Sequence, residues 1–283
     1  MPRPPSPSIP EKEFLFTSLK ESLRLDGRQP LEMRAPILTF GPDLGWVECA
    51  FGKTRVLAQL DAKMVKPTPE RPLEGLITIH SEISPMASSE YEPGRPSDEE
   101  VNMTRMLDKI LRRSDAIDKE SLCVLAGQRV WHLRLTIHCL ADAGNLLDCA
   151  CLAGIVAFKH FRRPEVEVVG EEVIVHHPSE RAPVPLSMHH TPFCFTFAYF
   201  PDQDTPPVLD PSYLEQRISA GLISVALNAQ KELCVLQKAG GVPLTQEQVL
   251  AVIDIAVNEA VKLDWLVTQR LAEDWKGRKV EVR

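Results

Sequence analysis

Residues 129–161 read RVWHLRLTIHCLADAGNLLDCACLAGIVAFKHF, and the spacing of the apolar residues changes part-way along. Over 129–140 apolar and polar side chains alternate, with Trp131, Leu133 and Leu135 sharing one face, so this half predicts a strand. Over 148–161 the residues are small or apolar on nearly every side, which predicts a buried helix with Asp148 as its N-cap. Asp142-Ala143-Gly144-Asn145 between them is turn chemistry. A strand that feeds a buried helix through a tight turn gathers backbone amides and short side chains at one point, where an anion can bind. The functional question is whether residues 141–148 hold one.

Upstream, Ser97 and Glu100 have capping-box spacing and open a helix over 98–113. At 100° per residue Met103, Met106, Leu107, Ile110 and Leu111 share one face, while Arg105, Lys109, Arg112 and Arg113 gather opposite. The first face packs on a sheet; the second is a cationic stripe, a pattern that also occurs as a plain solvated face. The sheet comes from alternating runs at 45–51 and 55–62, joined as a hairpin at Gly52-Lys53, and from a third strand at 75–83. Ahead of these lie a turn at Leu25-Asp26-Gly27-Arg28 and a short amphipathic helix carrying Phe14, Leu15, Leu19 and Leu23. Residues 1–10 contain five prolines and are expected to form a disordered arm.

Downstream, 166–169 and 172–175 predict a hairpin, and a Pro-rich linker covers 177–191. Strands at 193–200, 221–227 and 232–237 follow, the last two around the polar turn 228–230. Thr245 and Gln248 form a second capping box, opening a helix to about residue 263, with an exposed helical tail over 264–283. Strands followed by a covering helix thus occur twice, which gives an α+β chain of two halves, 11–176 and 192–263, packed side by side.

Composition narrows the function. A chain of 283 residues with 44% hydrophobic and 25% charged content can bury a substantial core. Seven cysteines, at 49, 123, 139, 149, 151, 194 and 234, include no Cys-x-x-Cys pair and sit in apolar runs, as reduced, buried thiols do. MPRPPSPSIP has no apolar core for a secretory leader, and the apolar run 149–161 falls short of the roughly 20 residues of a membrane span, so no membrane partner is expected. A net charge of −7 disfavours a surface that coats nucleic acid but leaves room for one basic stripe. Adjacent histidines at 176–177 and 189–190 point to opposite faces of a strand and lack further ligands, so no metal and no cofactor are expected. Asp142 is read as turn chemistry, Cys149 and Cys151 as small core residues, and Gly240-Gly241 as a bend before the last helix.

Leu25-Asp26-Gly27-Arg28, Leu31-Glu32-Met33-Arg34, Gly52-Lys53-Thr54-Arg55-Val56, the central strand and helix, Leu209-Asp210-Pro211 and Gly240-Gly241 follow one another in an order that resembles the RNase PH family. The resemblance covers nearly all of residues 14–265 and is most specific for the RNase PH-like ring subunits of the RNA exosome. Runs at 120–127, 160–164 and 183–190 are similar to the polymyositis/scleroderma autoantigen branch of those subunits. The resemblance implies an RNase PH-like fold of two split β-α-β halves and a place in a hexameric hetero-oligomeric ring around an RNA channel. It implies RNA, sister RNase PH-like subunits, exosome cap proteins and an associated hydrolytic nuclease as partners, in the nucleus, nucleolus and cytoplasm.

Active members of the family cleave the last RNA phosphodiester with inorganic phosphate. The resemblance implies Gly, then Ser or Thr, then Arg at the central turn, because a dianion is best gripped by a charged fork and short donors. This chain has Gly144-Asn145-Leu146. It also implies carboxylates in the second half, where an ungapped placement puts Gln216 and, within a few residues, Leu222. No catalytic residues and no phosphorolysis are therefore expected, and the stripe Arg105, Lys109, Arg112 and Arg113 is the candidate RNA contact. Two other readings stand beside this one: the RNA-positioning half of a composite phosphorolytic site shared with a sister subunit, and a free-standing adaptor without RNA. Arg162 and Arg163 are left open between solvent, a neighbour and RNA.

Overall fold

The computed structural model describes residues 6–88, 90–92, 94, 96–170, 172–177, 180–202, 205–241 and 243–278. Helix α1 (Ile9–Lys20) starts inside the expected arm, because Ser8 and Glu11 close a capping box and Pro10 occupies the first turn, where a missing N–H costs nothing. The first five residues of that arm, the last five of the expected tail and two linker residues, 178–179, lie outside the described residues. Leu15 and Leu19 of α1 pack on Ala198, Phe200, Val208 and Ile218, so the helix leans on the second half although it precedes the first.

Six strands form the first sheet: β1 (Pro36–Phe40), β2 (Trp46–Phe51), β3 (Thr54–Val65), β4 (Leu76–Ile83), β5 (Cys123–Leu125) and β6 (Arg129–Ala141), in the order β1-β2-β3-β6-β4 with β5 on β6. The hairpin expected at Gly52-Lys53 joins β2 to β3, and the expected central strand is β6. Strand β4 runs parallel to β6, so the chain needs a crossover between them, and α2 (Asp98–Leu107) supplies it. Strand β1 escaped the sequence reading, being short and opened by Pro36.

The apolar face expected for α2 is buried at Met103, Met106, Leu107, Ile110 and Leu111. The expected single helix over 98–113 is not regular α, however: 108–113 widen into a π-helical turn, which shifts the side chains after Leu107 around the axis.

Helix α3 (Leu146–His160) is the expected buried helix, and β2 and β3 lie against it. Its full burial contributes on the order of 1.5–3 kcal/mol for each large apolar side chain. Its N-cap is not Asp148 but Asn145, in a left-handed conformation at φ 58, while Asp148 lies one turn inside and is buried. The cause is tertiary: Asp148 accepts hydrogen bonds from the other half of the molecule.

Short strands β7 (Arg162–Arg163) and β10 (Val184–Pro185) pair with each other, and β8 (Val166–Val169) with β9 (Glu172–Val175) makes the expected hairpin. The second sheet contains β11 (Phe193–Tyr199), β12 (Val208–Leu209), β13 (Gly221–Leu227) and β14 (Leu233–Gly240), in the order β12-β11-β13-β14. Because β12 and β13 are both antiparallel to β11 and flank it, they are parallel to each other; α4 (Tyr213–Ile218) joins them as a split β-α-β unit. Strand β11 is buried on both faces, in contact with α3 and with α5 (Gln246–Gly277).

The capping box at Thr245 opens α5 as expected, but the helix does not stop near 263 to leave an exposed tail. Its buried stripe Val252, Ala256, Ala260, Leu263, Val267 and Leu271 continues unbroken at steps of three and four, so packing carries the helix through. Beyond it Arg278 donates to the carbonyls of Pro42 (2.9 Å) and Gly41 (2.5 Å), fastening the helix end beside β1. No described helix is long and apolar enough to cross a membrane.

Candidate functional site

The central turn is closed from both sides. Gly144 adopts φ 93, and a Cβ there would sit 2.3 Å from the backbone nitrogen of Tyr213, so only glycine allows α4 to approach. Tyr213 N–H donates to the Ala143 carbonyl at 3.0 Å, pinning the second half on the turn. The turn's own amides are occupied by side chains. Ala143 N–H donates to Thr54 Oγ1 (3.3 Å), Gly144 N–H to Asp142 Oδ1 (2.9 Å) and Asn145 N–H to Gln216 Oε1 (3.0 Å). An anion reaching the turn would have to displace these acceptors.

Behind the turn lies a buried ionic network. Asp210, in a left-handed conformation at φ 52, accepts from Arg34 Nε (2.7 Å) and Nη2 (2.6 Å), from Arg28 Nη1 (2.9 Å) and from Asn145 Nδ2 (2.7 Å). Burial alone would push its carboxyl up, but Arg34 outweighs burial and, with Asn145, holds it below the usual carboxylate range. Asn145 Nδ2 also donates to Asp148 (2.8 Å), and Asp148 accepts from Thr196 N–H (2.7 Å) and Oγ1–H (2.8 Å) on β11. Here burial wins over the hydrogen bonds from Asn145 and Thr196 and raises the carboxyl to about 6. Arg24 forks onto Glu215 (3.0 and 2.6 Å) and donates to the carbonyls of Leu209 and Asp210. The arginines after Leu23, Gly27 and Met33 thus meet Leu209-Asp210-Pro211 in space, which spacing in sequence had no means of showing.

In front of the turn is a cavity of about 420 Å³ between α2, the start of α3 and strands β13 and β14. Leu146, Gln216 and Leu222, the three positions singled out in the sequence, all line it. Met103, Met106, Thr196 and Ser224 add apolar and hydroxyl walls, and Glu99 and Asp142 are its charged groups. No lysine or arginine is among the described lining residues.

The cationic stripe is divided by the π-helical turn. Arg105 and Lys109 are exposed, and Lys109 Nζ donates to Gln237 Oε1 (3.2 Å) at the cavity rim. Arg112 and Arg113 both turn onto Asp108, at 2.9 Å each, and share its single negative charge, so the pair keeps a net positive charge. Arg162 stacks over the Trp275 ring at 4.5 Å, a contact within the chain that the sequence did not indicate. Among the described residues no cluster of three or more His, Cys, Asp or Glu side chains could hold a metal ion.

Two family models, 3′ exoribonuclease family domain 1 and domain 2, match residues 32–164 and 190–259. The chain belongs to the RNase PH family. Among RNase PH-family relatives, the exosome complex component rrp45 of Schizosaccharomyces pombe is 40% identical over 97% of this chain and 94% of its own length. The exosome complex component RRP45 of Homo sapiens is 43% identical over 95% of this chain but only 61% of that protein, so the chain spans under two thirds of it. Among solved structures, a chain of the Archaeoglobus fulgidus exosome with RNA bound to the active site superposes with a TM-score of 0.76 at 25% identity, over 89% of this chain and 96% of that one. A chain of an archaeal exosome core, at 23% identity and a TM-score of 0.72 over 91% and 96%, shares the fold. In RNase PH terms the ionic network is the seam between the family's two domains: Arg34 belongs to the first and Asp210 to the second.

Proposed function

We propose that this chain is a non-catalytic subunit of an RNA exosome ring, where it helps form the central channel and hold RNA for 3′-to-5′ processing and decay. The observation that carries the proposal is the cavity at the central turn. It gathers Leu146, Gln216 and Leu222, the positions to which the family resemblance assigns an arginine and two carboxylates, and the turn's amides are taken by Thr54, Asp142 and Gln216. Loss of even one group that stabilises transition-state charge costs about 10²–10³ in rate. The rrp45 relatives support the exosome assignment and, with it, sister RNase PH-like subunits as neighbours. Cap proteins, an associated hydrolytic nuclease and work in nucleus, nucleolus and cytoplasm belong to the same proposal.

For RNA the proposal rests on Arg105 and Lys109, exposed cations without a carboxylate partner among the ion pairs of the stripe, with Arg112 and Arg113 in a lesser role because they share Asp108. The placement of Lys109 at the cavity rim also favours a second reading, in which the chain positions RNA for a site shared with a sister subunit. One experiment separates the readings. The chain is assembled with its sister subunits and assayed for phosphate-dependent release of nucleoside diphosphates and for RNA protection. Leu146→Glu is expected to leave any release within about twofold, whereas a loss beyond about tenfold would show a working site here. Arg105→Glu with Lys109→Glu is expected to weaken protection and flatten its salt dependence. Unchanged protection refutes the stripe, and a fall in turnover at unchanged binding favours the shared site.

A further inference from the structure

The cavity at the turn has the opposite charge from a phosphate site, and we infer that it receives an arginine side chain from a basic segment of a partner protein. Glu99 and Asp142 are the only charged groups among its described lining residues. Both carboxylates lie on one hydroxyl: Tyr91 Oη is 2.8 Å from Glu99 Oε2 and 3.1 Å from Asp142 Oδ2. A phenol has one proton, so it can donate to only one of them at a time. The other contact sets a hydroxyl lone pair against a carboxylate, and the two anions repel. Burial and the two carboxylates raise the Tyr91 hydroxyl far above its ordinary range, so it does not relieve this by ionising. A third group bearing positive charge and several donors would bridge the exposed Glu99 and the half-buried Asp142 and offset their repulsion.

The rest of the cavity selects which cation. Met103, Met106, Leu146 and Leu222 give the same cavity apolar walls, suited to a methylene stem with its charge at the tip. A guanidinium presents five N–H donors in a planar fork, enough to bond two separated carboxylates together, whereas an ammonium is a compact point charge. A metal ion fits less well, since the described residues offer no third anionic or imidazole ligand. The inference rests on the reading that the cavity no longer takes phosphate.

The test uses the full chain and the peptide acetyl-Gly-Gly-Arg-Gly-Gly-amide, compared by calorimetry with its lysine and citrulline counterparts, spermidine and inorganic phosphate. The arginine peptide is expected to bind, with citrulline weaker by at least about tenfold because it keeps the shape and loses the charge. Glu99→Gln with Asp142→Asn is expected to remove that preference while the melting temperature stays close to wild type. Equal binding of the citrulline peptide, or no binding of the arginine peptide at millimolar concentration, overturns the inference and leaves the non-catalytic reading standing. Tighter binding of spermidine overturns it in favour of a free polyamine. Phosphate binding lost in Leu146→Glu overturns both this inference and the proposed function.

Discussion

Asp210 sits in a left-handed backbone conformation with three donor side chains closing on its carboxylate, all from residues far away in the sequence. Truncating one partner of such a buried ion pair strands the other charge away from water. Asp210→Ala or Arg34→Ala is therefore expected to cost about 3–5 kcal/mol, read from urea unfolding; a change under about 1 kcal/mol would show that the network is incidental. The two buried carboxylates also make opposite contributions to pH dependence. Asp210 has a lowered pKa in the folded state, so its stabilisation is present above the ordinary carboxylate pKa of about 4 and is lost as pH falls through the folded value. Asp148 is raised to about 6, so its contribution is full below about pH 4 and is lost as pH rises through about 6. Asp148→Asn is thus expected to gain stability relative to wild type on going from pH 4.5 to 7.5, measured as paired urea midpoints. A constant difference across that range would refute the raised pKa. Both residues were visible in the sequence, Asp148 as a helix cap and Asp210 as part of a family motif. Neither role followed, because a cap is read from local spacing whereas these carboxylates are held from other elements.

Among the elements, α5 shows how packing extends a helix beyond the end expected from sequence. Asp264 and Trp265 follow the point near residue 263 where the helix was expected to end, yet Val267 and Leu271 remain buried and Asp274 meets His160 Nε2 at 3.2 Å. Gly45 N–H donates to the other ring nitrogen of His160 (3.0 Å), so the last turns of α5 help to order the end of α3 and the turn before β2. Removing residues 265–283 is expected to destabilise the chain by several kcal/mol, since each lost large apolar contact is worth about 1.5–3 kcal/mol. Thermal unfolding checks this, and an unchanged midpoint would mean that the helix end is ornamental to the fold. The capping boxes of α1 and α5 and the apolar faces of α2 and α3 were legible because they are local patterns of three or four residues. The π-helical turn at 108–113 was not, because an extra residue in a helical turn leaves no compositional mark and is set by packing against the sheet.

Over the whole molecule, large apolar side chains remain in water, among them Phe14 at 64% and Trp265 at 63% exposure. If the chain pairs with sister subunits as proposed, apolar side chains of this kind belong to its contact surfaces. The isolated chain is expected to self-associate in size-exclusion chromatography and to become monodisperse when coexpressed with sister RNase PH-like subunits; a well-behaved monomer would favour the free-standing adaptor instead. The amino-acid sequence by itself determined the α+β class, the strand–turn–helix at 129–161 and the leucine at position 146 of its turn. These are properties of periodicity, capping and residue identity, which act over a few neighbours. Only the tertiary structure decided that Leu146, Gln216 and Leu222 share one cavity, that Arg24, Arg28 and Arg34 meet Asp210 and Glu215 at the seam, and that Glu99 and Asp142 face one hydroxyl. Most of those contacts join residues many tens of positions apart, and they exist because α3 packs between two sheets and brings their loops to its N-terminus.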